Sequence, residues 1–223
     1  MSGDVPCSVL VVAKAPVPGF AKTRLAATLG DAAAADLAAA ALLDTLDAVA
    51  ACSGSGRVVA MTGDLDRASR SAEIRARLAD FTVVEQRGDA FGDRLAFAHA
   101  DAAAATGLPV LQIGMDTPQV TAALLDECAT TLLASDAVLG MASDGGWWVL
   151  GVHDPVAAEA LRDVPMSRAD TGALTLAALT ATGLDVGIVA TLTDLDTIDD
   201  LDEVRRECTS GTRFSRLAMA GGA

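Results

Sequence analysis

Short apolar runs alternate with longer alanine-rich or charged stretches along almost the entire sequence. The first run, Ser8–Ala13, is apolar after its first residue, which is typical of a strand that is buried on both faces of a parallel sheet. The segment Asp31–Cys52 that follows is rich in alanine and predicts a long helix. Because strands separated by helices favour βαβ units, we predict a three-layer α/β/α sandwich with a mostly parallel central sheet. No linker or repeat interrupts the pattern, so we expect a single domain over 1–208 and a frayed C-terminal tail over 209–223.

The same pattern predicts the remaining elements and, with them, the place of a binding site. We expect further strands at 58–61, 81–84, 109–113, 137–141, 147–152 and 186–189, and helices at 66–79, 92–105, 118–134, 156–162, 171–182 and in a short stretch that ends at Cys208. Ligands of open α/β sheets bind outside the carboxyl ends of the strands. The three loops that follow such strands, 13–24, 113–118 and 142–148, are therefore the candidate site.

The composition excludes several classes of protein. With 52% hydrophobic residues the chain is not a disordered tail, and its net charge of −14 argues against general binding to nucleic acid or to an anionic membrane. No apolar run reaches the ~20 residues that span a bilayer, so we expect no membrane insertion. The four cysteines are scattered and form no CxxC pair, which favours reduced thiols in the cytoplasm over a disulfide framework or a zinc site.

A small basic island stands out against this acidic background. The chain has only two lysines, Lys14 and Lys22, and both lie with Arg24 in the turn-rich loop after the first predicted strand. With Ala13 at its start and Gly19 as a turn residue, the loop can bring these cations and unpaired N–H groups onto one anion. A planar guanidinium beside two ammonium groups suits a diphosphate, so we interpret these five residues as nucleotide-binding. The alternative is a solvated basic loop, because the sequence has neither a P-loop nor a G-x-G-x-x-G motif.

Two aspartates are candidate ligands of a divalent metal. Asp116 directly follows the strand predicted at 109–113 and precedes Pro118, a residue typical of the first turn of a helix. A carboxylate at this place can hold a metal that bridges phosphates, or it can cap the helix. The acidic segment 194–203 offers a second ligand, which we assign to Asp196 by its order in the chain. The alternative for that segment is a solvated face with helix-capping charge.

The segment from Asp144 to Trp148 combines a carboxylate, two glycines and the only tryptophans of the chain. Gly145 and Gly146 allow a ligand to approach the main chain closely, and an indole face at Trp147 beside a carboxylate suits a sugar or a similar acceptor. We therefore predict acceptor binding here. The alternative is a hairpin turn with core tryptophans.

These segments, in this order, resemble a known family. The stretches AKAPVPGFAKTRL (13–25), GMDTP (114–118), DGGWWVLG (144–151) and DLDTIDDL (194–201) are similar to the bacterial DUF2064 group of glycosyltransferase-A-type or MobA-like nucleotidyltransferase proteins. The run KTRL is also similar to the 2-phospho-lactate guanylyltransferases. The resemblance implies the fold of the nucleotide-diphospho-sugar transferases, with the first loop on the nucleotide phosphates. It also implies that Asp116 and Asp196 are the metal ligands.

Together these observations predict a cytoplasmic, Mg²⁺- or Mn²⁺-dependent transferase that uses a nucleotide-activated donor. We expect glycosyl transfer from a nucleotide-diphospho-sugar to a small-molecule acceptor, with Asp144 orienting or deprotonating the acceptor hydroxyl. Nucleotidyl transfer from a nucleoside triphosphate is the first alternative, and a non-catalytic nucleotide-binding domain is the second. The sequence neither predicts nor excludes a homodimer, because alanine-rich helices pack as readily between subunits as within a domain.

Overall fold

The computed structural model describes residues 5–220. Its centre is one seven-stranded sheet in the order β3-β2-β1-β4-β6-β5-β7, in which all neighbours are parallel except β6, which runs antiparallel to β4 and β5. The strands are β1 (Val5–Lys14), β2 (Gly54–Thr62), β3 (Thr82–Glu85), β4 (Val110–Gly114), β5 (Ala137–Ala142), β6 (Trp147–Val152) and β7 (Val186–Leu192). The predicted α/β sandwich with a mostly parallel sheet is thus confirmed.

Helices cover both faces of the sheet because consecutive residues of a strand point to opposite sides. In β1, Val9 packs into the core beneath the long alanine-rich helix, and Leu10 packs into the core on the opposite face. The helices are α1 (Thr23–Leu29), α2 (Asp31–Ala51), α3 (Ser71–Leu78), α4 (Phe91–Thr106), α5 (Ala122–Ala134), α6 (Thr171–Ala181), α7 (Ile198–Glu207) and α8 (Arg213–Ala220), with 3-10 turns at Leu65–Arg67 and Pro155–Arg162. No helix within residues 5–220 is long and apolar enough to cross a membrane.

The start of α5 differs from the prediction. Pro118 does not begin the helix, since Thr121 is its N-cap and the Thr121 hydroxyl accepts a hydrogen bond from the N–H of Leu124 at 3.2 Å. Asp116 therefore lies five residues before the cap in a loop, where it has no capping role for this helix. The prediction of the helix start was wrong because it relied on the preference of proline for the first turn. The helix begins after Thr121 instead, whose hydroxyl caps it.

The C-terminal segment is more ordered than predicted. Instead of fraying from Thr209, the chain forms α8, whose Phe214 side chain is fully buried against α2 and α7. The carboxylate of Asp44, on α2, accepts hydrogen bonds from the N–H of Arg213 at 3.1 Å and of Phe214 at 2.8 Å. These N–H groups begin α8, and the hydroxyl of the preceding Thr212 accepts a further hydrogen bond from the N–H of Ser215 at 3.3 Å. The start of the helix is therefore held in part by Asp44, whose contribution from far away in sequence no local pattern can reveal. The last three residues of the predicted tail, 221–223, lie outside the described residues.

His99, on α4, is a buried polar residue that the fold leaves unsatisfied. Its side chain is fully buried, and neither ring nitrogen has a hydrogen-bond partner in the described part of the chain. Burial lowers the pKa of His99 to about 3, because the charged imidazolium has no water or partner there. The ring is therefore neutral at physiological pH.

This burial makes stability depend on pH in a definite direction. In the unfolded chain a histidine has a pKa of about 6.5, so acid protonates the unfolded state first. We expect His99 to cost stability as pH falls from about 6.5 towards 3, by up to about 1.4 kcal/mol per pH unit. His99→Leu removes this dependence. Urea unfolding of the two proteins at pH 7, 6 and 5 measures the difference in slope.

The exposed His153 supplies the control for this measurement. His153→Gln retains His99 and should keep the slope of the unmodified chain. If His99→Leu and the unmodified chain lose stability equally between pH 6.5 and 5, the buried neutral imidazole is not the cause.

Candidate active site

A cavity of about 410 Å³ lies beyond the carboxyl ends of β1, β2 and β4. It has a charged centre, formed by Lys14, Asp116 and Asp194, between two ends of different character. The β2–β3 end is lined by Thr62, Gln86, Phe91 and Arg94, and the hairpin end by Asp144, Gly146, Trp147, Met166 and Arg168. The location agrees with the general rule for open α/β sheets.

The charged centre depends on an extended segment that crosses the end of β4. The N–H of Leu195 donates to the main-chain oxygen of Asp116 at 3.0 Å, and the Leu195 side chain is fully buried. Residues 194 and 196 would share one face of a regular strand, but residues 193–196 form no strand or helix. In this irregular segment Asp194 lines the 410 Å³ cavity, whereas Asp196 lines a smaller cavity of about 270 Å³ that also contains Lys22 and Arg24. Asp116 lines both cavities.

Asp194 carries the clearest electrostatic signature of the site. Burial, followed by the negative charges of Asp116 and Asp144, raises the pKa of its carboxyl to about 7, and the charge of Lys22 opposes the shift. A bound cation would favour the charged form of this carboxyl. We did not select Asp194 from the sequence, because both aspartates of the Asp-Leu-Asp motif have the same composition and only the path of the segment across the end of β4 distinguishes them.

Two of the three predicted phosphate-binding cations contact carboxylates in this structure. The Nζ atom of Lys22 lies 3.0 Å from Oδ2 of Asp116 and also donates to the main-chain oxygen of Leu195. The Lys22 side chain is only 9% exposed, and its backbone has the left-handed φ of 50° that non-glycine residues rarely adopt. Arg24 pairs with Asp196. The predicted metal ligand Asp196 thus has an internal cation of its own.

Two other cations line the large cavity and form no salt bridge within residues 5–220. Nζ of Lys14 donates to the main-chain oxygen of Phe20 at 2.8 Å, and Nε of Arg94 donates to that of Gly88 at 3.1 Å. No carboxylate of residues 5–220 neutralises either cation, so both can pair with an anionic ligand. Lys14 was predicted from the sequence. Arg94 was not, because in the sequence it is one of many arginines on amphipathic helices, and only the start of α4 at the sheet end brings it to the cavity.

The other two predicted residues of the basic loop have main-chain roles. The carbonyl oxygen of Ala13 accepts a hydrogen bond from Nε2 of Gln86 at 2.8 Å, and Ala13 lines the large cavity. Gly19 has a φ of 79° and lines neither cavity, so its role in the structure is to turn the loop.

At the hairpin end, the Asp144–Trp148 segment is a hairpin turn with one core tryptophan, and it also lines the cavity where acceptor binding was predicted. Residues 143–146 form the turn between the antiparallel strands β5 and β6, and Oδ1 of Asp144 accepts from the N–H of Gly146 at 2.8 Å. Trp148 is a core residue whose Nε1 donates to the carbonyl of Ala190 at 2.8 Å. Trp147 is half-buried and lines the cavity, as does Gly146.

Gly145 has a packing role that the sequence did not reveal. Its φ is 89°, and a Cβ atom there would lie 1.9 Å from the carbonyl oxygen of Ala169. The Gly145 oxygen also accepts from the N–H of Gly172 at 2.8 Å. Glycine is required because the segment before α6 packs directly onto the turn, which fixes one wall of the cavity.

The donor set of the cavity fits a divalent cation that is held jointly with a ligand. Within residues 5–220, no three His, Cys, Asp or Glu side chains lie close enough to form a preformed metal cage. Mg²⁺ does not need one, because it is usually bound by one or two carboxylates together with water and substrate phosphates. Asp116 and Asp194 supply hard oxygen ligands in one cavity, and the raised pKa of Asp194 means that a bound cation would stabilise its charged form.

Lys22→Met tests whether the Lys22 ammonium competes with a metal for Asp116. The variant keeps the length of the side chain and removes its charge, so a divalent ion no longer has to displace an internal cation. We expect Mn²⁺ alone to bind about tenfold more tightly, which corresponds to ~1.4 kcal/mol. Isothermal titration of the nucleotide-free protein with Mn²⁺ measures this affinity.

Arg24→Met is the matched control, since Arg24 pairs with Asp196 in the smaller cavity. Its Mn²⁺ affinity should equal that of the unmodified chain. An Mn²⁺ affinity of Lys22→Met that is unchanged or lower would show that Lys22 does not occupy the metal position.

Comparison with solved structures identifies the class of fold. A candidate nucleotide-diphospho-sugar transferase from Desulfovibrio desulfuricans G20 is similar with a TM-score of 0.83 and 24% identity, over 97% of this chain and 98% of that chain. Rv0371c of Mycobacterium tuberculosis H37Rv, in complex with manganese, gives 0.54 and 18% over 89% and 97%. CMP:2-keto-3-deoxy-manno-octonic acid synthetase, complexed with CTP, gives 0.56 and 10% over 90% and 97%. The fold is therefore of the nucleotide-diphospho-sugar transferase type.

The family follows from the sequence comparison. The model of DUF2064, described as an uncharacterized protein conserved in bacteria, matches residues 45–168. The chain belongs to the DUF2064 family, as its motifs predicted. The matched region includes Gln86, Arg94, Asp116 and Asp144, whereas the basic loop and Asp194 lie outside it. No curated protein matches the chain.

Proposed function

We propose that this protein is a metal-dependent transferase that transfers a group from a nucleotide-activated donor to a small acceptor. The observation that supports it best is that both signs of charge occur in one cavity: Lys14 and Arg94 form no salt bridge within residues 5–220, while Asp116 and Asp194 place two carboxylates in the same space. A diphosphate with a divalent cation satisfies both sets at once. The manganese bound to Rv0371c and the CTP bound to the synthetase of the same fold support this choice.

The charged residues of the cavity have separate tasks in this proposal. Lys14 in the centre binds the donor phosphates, Arg94 binds them from the adjoining β2–β3 end, and Asp116 and Asp194 would hold Mg²⁺ or Mn²⁺. The ion, when bound, would neutralise the negative charge that develops on the leaving phosphate. Asp194 takes the place that the sequence assigned to Asp196, because Asp194 faces the large cavity with Asp116 and forms no salt bridge within the described residues, whereas Asp196 is paired with Arg24 in the smaller cavity.

Lys22 changes partner in this scheme. Its Nζ is 3.0 Å from Asp116, so a metal ion held by Asp116 would displace it. The freed ammonium would stay in the smaller cavity beside Asp116, where it could contact phosphate oxygens. The predicted phosphate-binding role of Lys22 therefore applies to the ligand-bound protein.

Asp144 is the candidate for contact with the acceptor. The N–H of Gly146 holds its Oδ1 atom, and its second carboxylate oxygen has no hydrogen-bond partner within the described residues. We propose that this oxygen orients the acceptor hydroxyl or removes its proton, with Trp147 beside it as an apolar surface. A sugar-containing ligand suits this combination, which supports glycosyl transfer as the first candidate reaction.

Nucleotidyl transfer is the second candidate, and the smaller cavity supports it. That cavity adjoins the charged centre, with which it shares Lys14 and Asp116, and it is also lined by Lys22 and Arg24. Its volume of about 270 Å³ gives room for the outer phosphates of a nucleoside triphosphate. Pyrophosphate would leave from there, whereas glycosyl transfer releases the nucleoside diphosphate.

A thermal-shift panel with Mn²⁺ tests the proposed function and separates the two reactions. We expect a nucleotide at a hundred times its Kd to stabilise the protein by ~2.7 kcal/mol, which is roughly 5 to 10 °C in Tm. The panel contains UDP-, GDP-, ADP- and TDP-sugars and the triphosphates GTP, CTP and ATP. The largest shift with a diphosphate sugar favours glycosyl transfer, and the largest with a triphosphate favours nucleotidyl transfer.

Asp194→Asn should abolish the Mn²⁺-dependent part of the shift. The control is Asp199→Asn, which makes the same change of charge on an exposed residue at the start of α7. The proposed function is wrong if no nucleotide shifts Tm, or if both variants respond like the unmodified chain.

A further inference from the structure

We propose that Gln86 recognises the nucleobase of the donor by accepting a hydrogen bond from the base edge. The inference rests on the proposed function and adds a recognition residue at the β2–β3 end of the cavity. Gln86 lines that end together with Thr62 and Phe91. The base would lie there while the phosphates occupy the charged centre.

The hydrogen-bond partners of the Gln86 amide determine which way the amide faces. The Gln86 N–H donates to the carbonyl of Met61 at 3.0 Å, which continues the β2–β3 pairing by one residue. The side chain crosses the ends of two strands, and its Nε2 donates to the main-chain oxygens of Ala60 and Ala13, both at 2.8 Å. Both partners are acceptors, so only the NH₂ group of the amide fits against them.

The amide oxygen of Gln86 is thereby left for a ligand. Both Nε2 hydrogens are used, and Oε1 accepts no hydrogen bond within residues 5–220. Oε1 is also not among the buried atoms without a partner, so it is open to the cavity that Gln86 lines. An acceptor that is held in one direction selects a ligand with a donor at the matching place.

The surroundings of Gln86 fit a neutral aromatic ring. The carboxylates that line the cavity, Asp116, Asp144 and Asp194, belong to its centre and its hairpin end. At the Gln86 end, Phe91 is 50% exposed, which leaves an aromatic face for stacking. Every nucleobase carries an amino or ring N–H donor on its pairing edge, together with a π face. The hairpin end is less suitable for the base, because Asp144 there repels the acceptor groups that adjoin those donors.

Gln86→Met tests this assignment by comparing a nucleotide with its phosphates alone. Methionine has a similar length and no hydrogen-bond acceptor of comparable strength. Isothermal titration with Mn²⁺ present measures the Kd of UDP, CDP, ADP, GDP and inorganic pyrophosphate. We expect the nucleotide that the unmodified chain binds best to bind the variant roughly tenfold more weakly, with the pyrophosphate Kd changed less than about twofold.

Glu85→Met is the matched control, since it places the same residue one position earlier, where the side chain is exposed and does not line the cavity. It should leave every Kd unchanged. Equal nucleotide affinity in Gln86→Met and the unmodified chain would overturn the role of Gln86 and leave the proposed function intact. An equal loss for nucleotide and pyrophosphate would also overturn it, because the effect would then come from the Ala13 loop. If the unmodified chain binds no nucleotide, both the proposed function and this inference fail.

Discussion

The hydrogen bond from the N–H of Leu195 to the main-chain oxygen of Asp116 determines the arrangement of the site. It attaches the segment after β7 to the loop after β4, although the two are far apart in sequence. With Leu195 fully buried, the position of this segment across the end of β4 is fixed. Its irregular path places Asp194 in the large cavity with Asp116 and leaves Asp196 to pair with Arg24.

The charged residues of the large cavity then determine which kind of ligand suits it. The chain has a net charge of −14, and burial together with the neighbouring charges of Asp116 and Asp144 raises the pKa of Asp194 to about 7. Lys22 opposes this shift from a nearly buried position. Lys14 and Arg94 face the same space without acidic partners of their own within residues 5–220. In the proposed function, a diphosphate with a divalent cation provides an opposite charge for both sets of residues.

The fold could be predicted from the sequence because its signals are local. The strand at Ser8–Ala13 and the helix at Asp31–Cys52 are each specified by their own residues, and both elements were predicted to within a few residues of their bounds. The helix α8 was missed, since two of its first N–H groups are held by Asp44, far away in the chain.

The site was predictable only in part, for the same reason. Residues that follow a strand directly, such as Lys14 and Asp116, could be placed at the sheet end from the strand pattern alone. Asp194 depends on the register of a segment without helix or strand periodicity. Gln86 directly follows β3 and Arg94 lies in the first turn of α4, and only the neighbouring position of β2 and β1 in the sheet brings them to the cavity.

Electron paramagnetic resonance of Mn²⁺ tests the central claim, that Asp116 and Asp194 hold a metal together with a nucleoside diphosphate. The protein is titrated with Mn²⁺ in the presence of the nucleotide that it binds best, and the free ion signal reports how much metal is bound. The account predicts that Asp196→Asn binds one equivalent of Mn²⁺ like the unmodified chain, whereas Asp194→Asn leaves most of the ion free. Loss of binding in Asp196→Asn, with normal binding in Asp194→Asn, would contradict it.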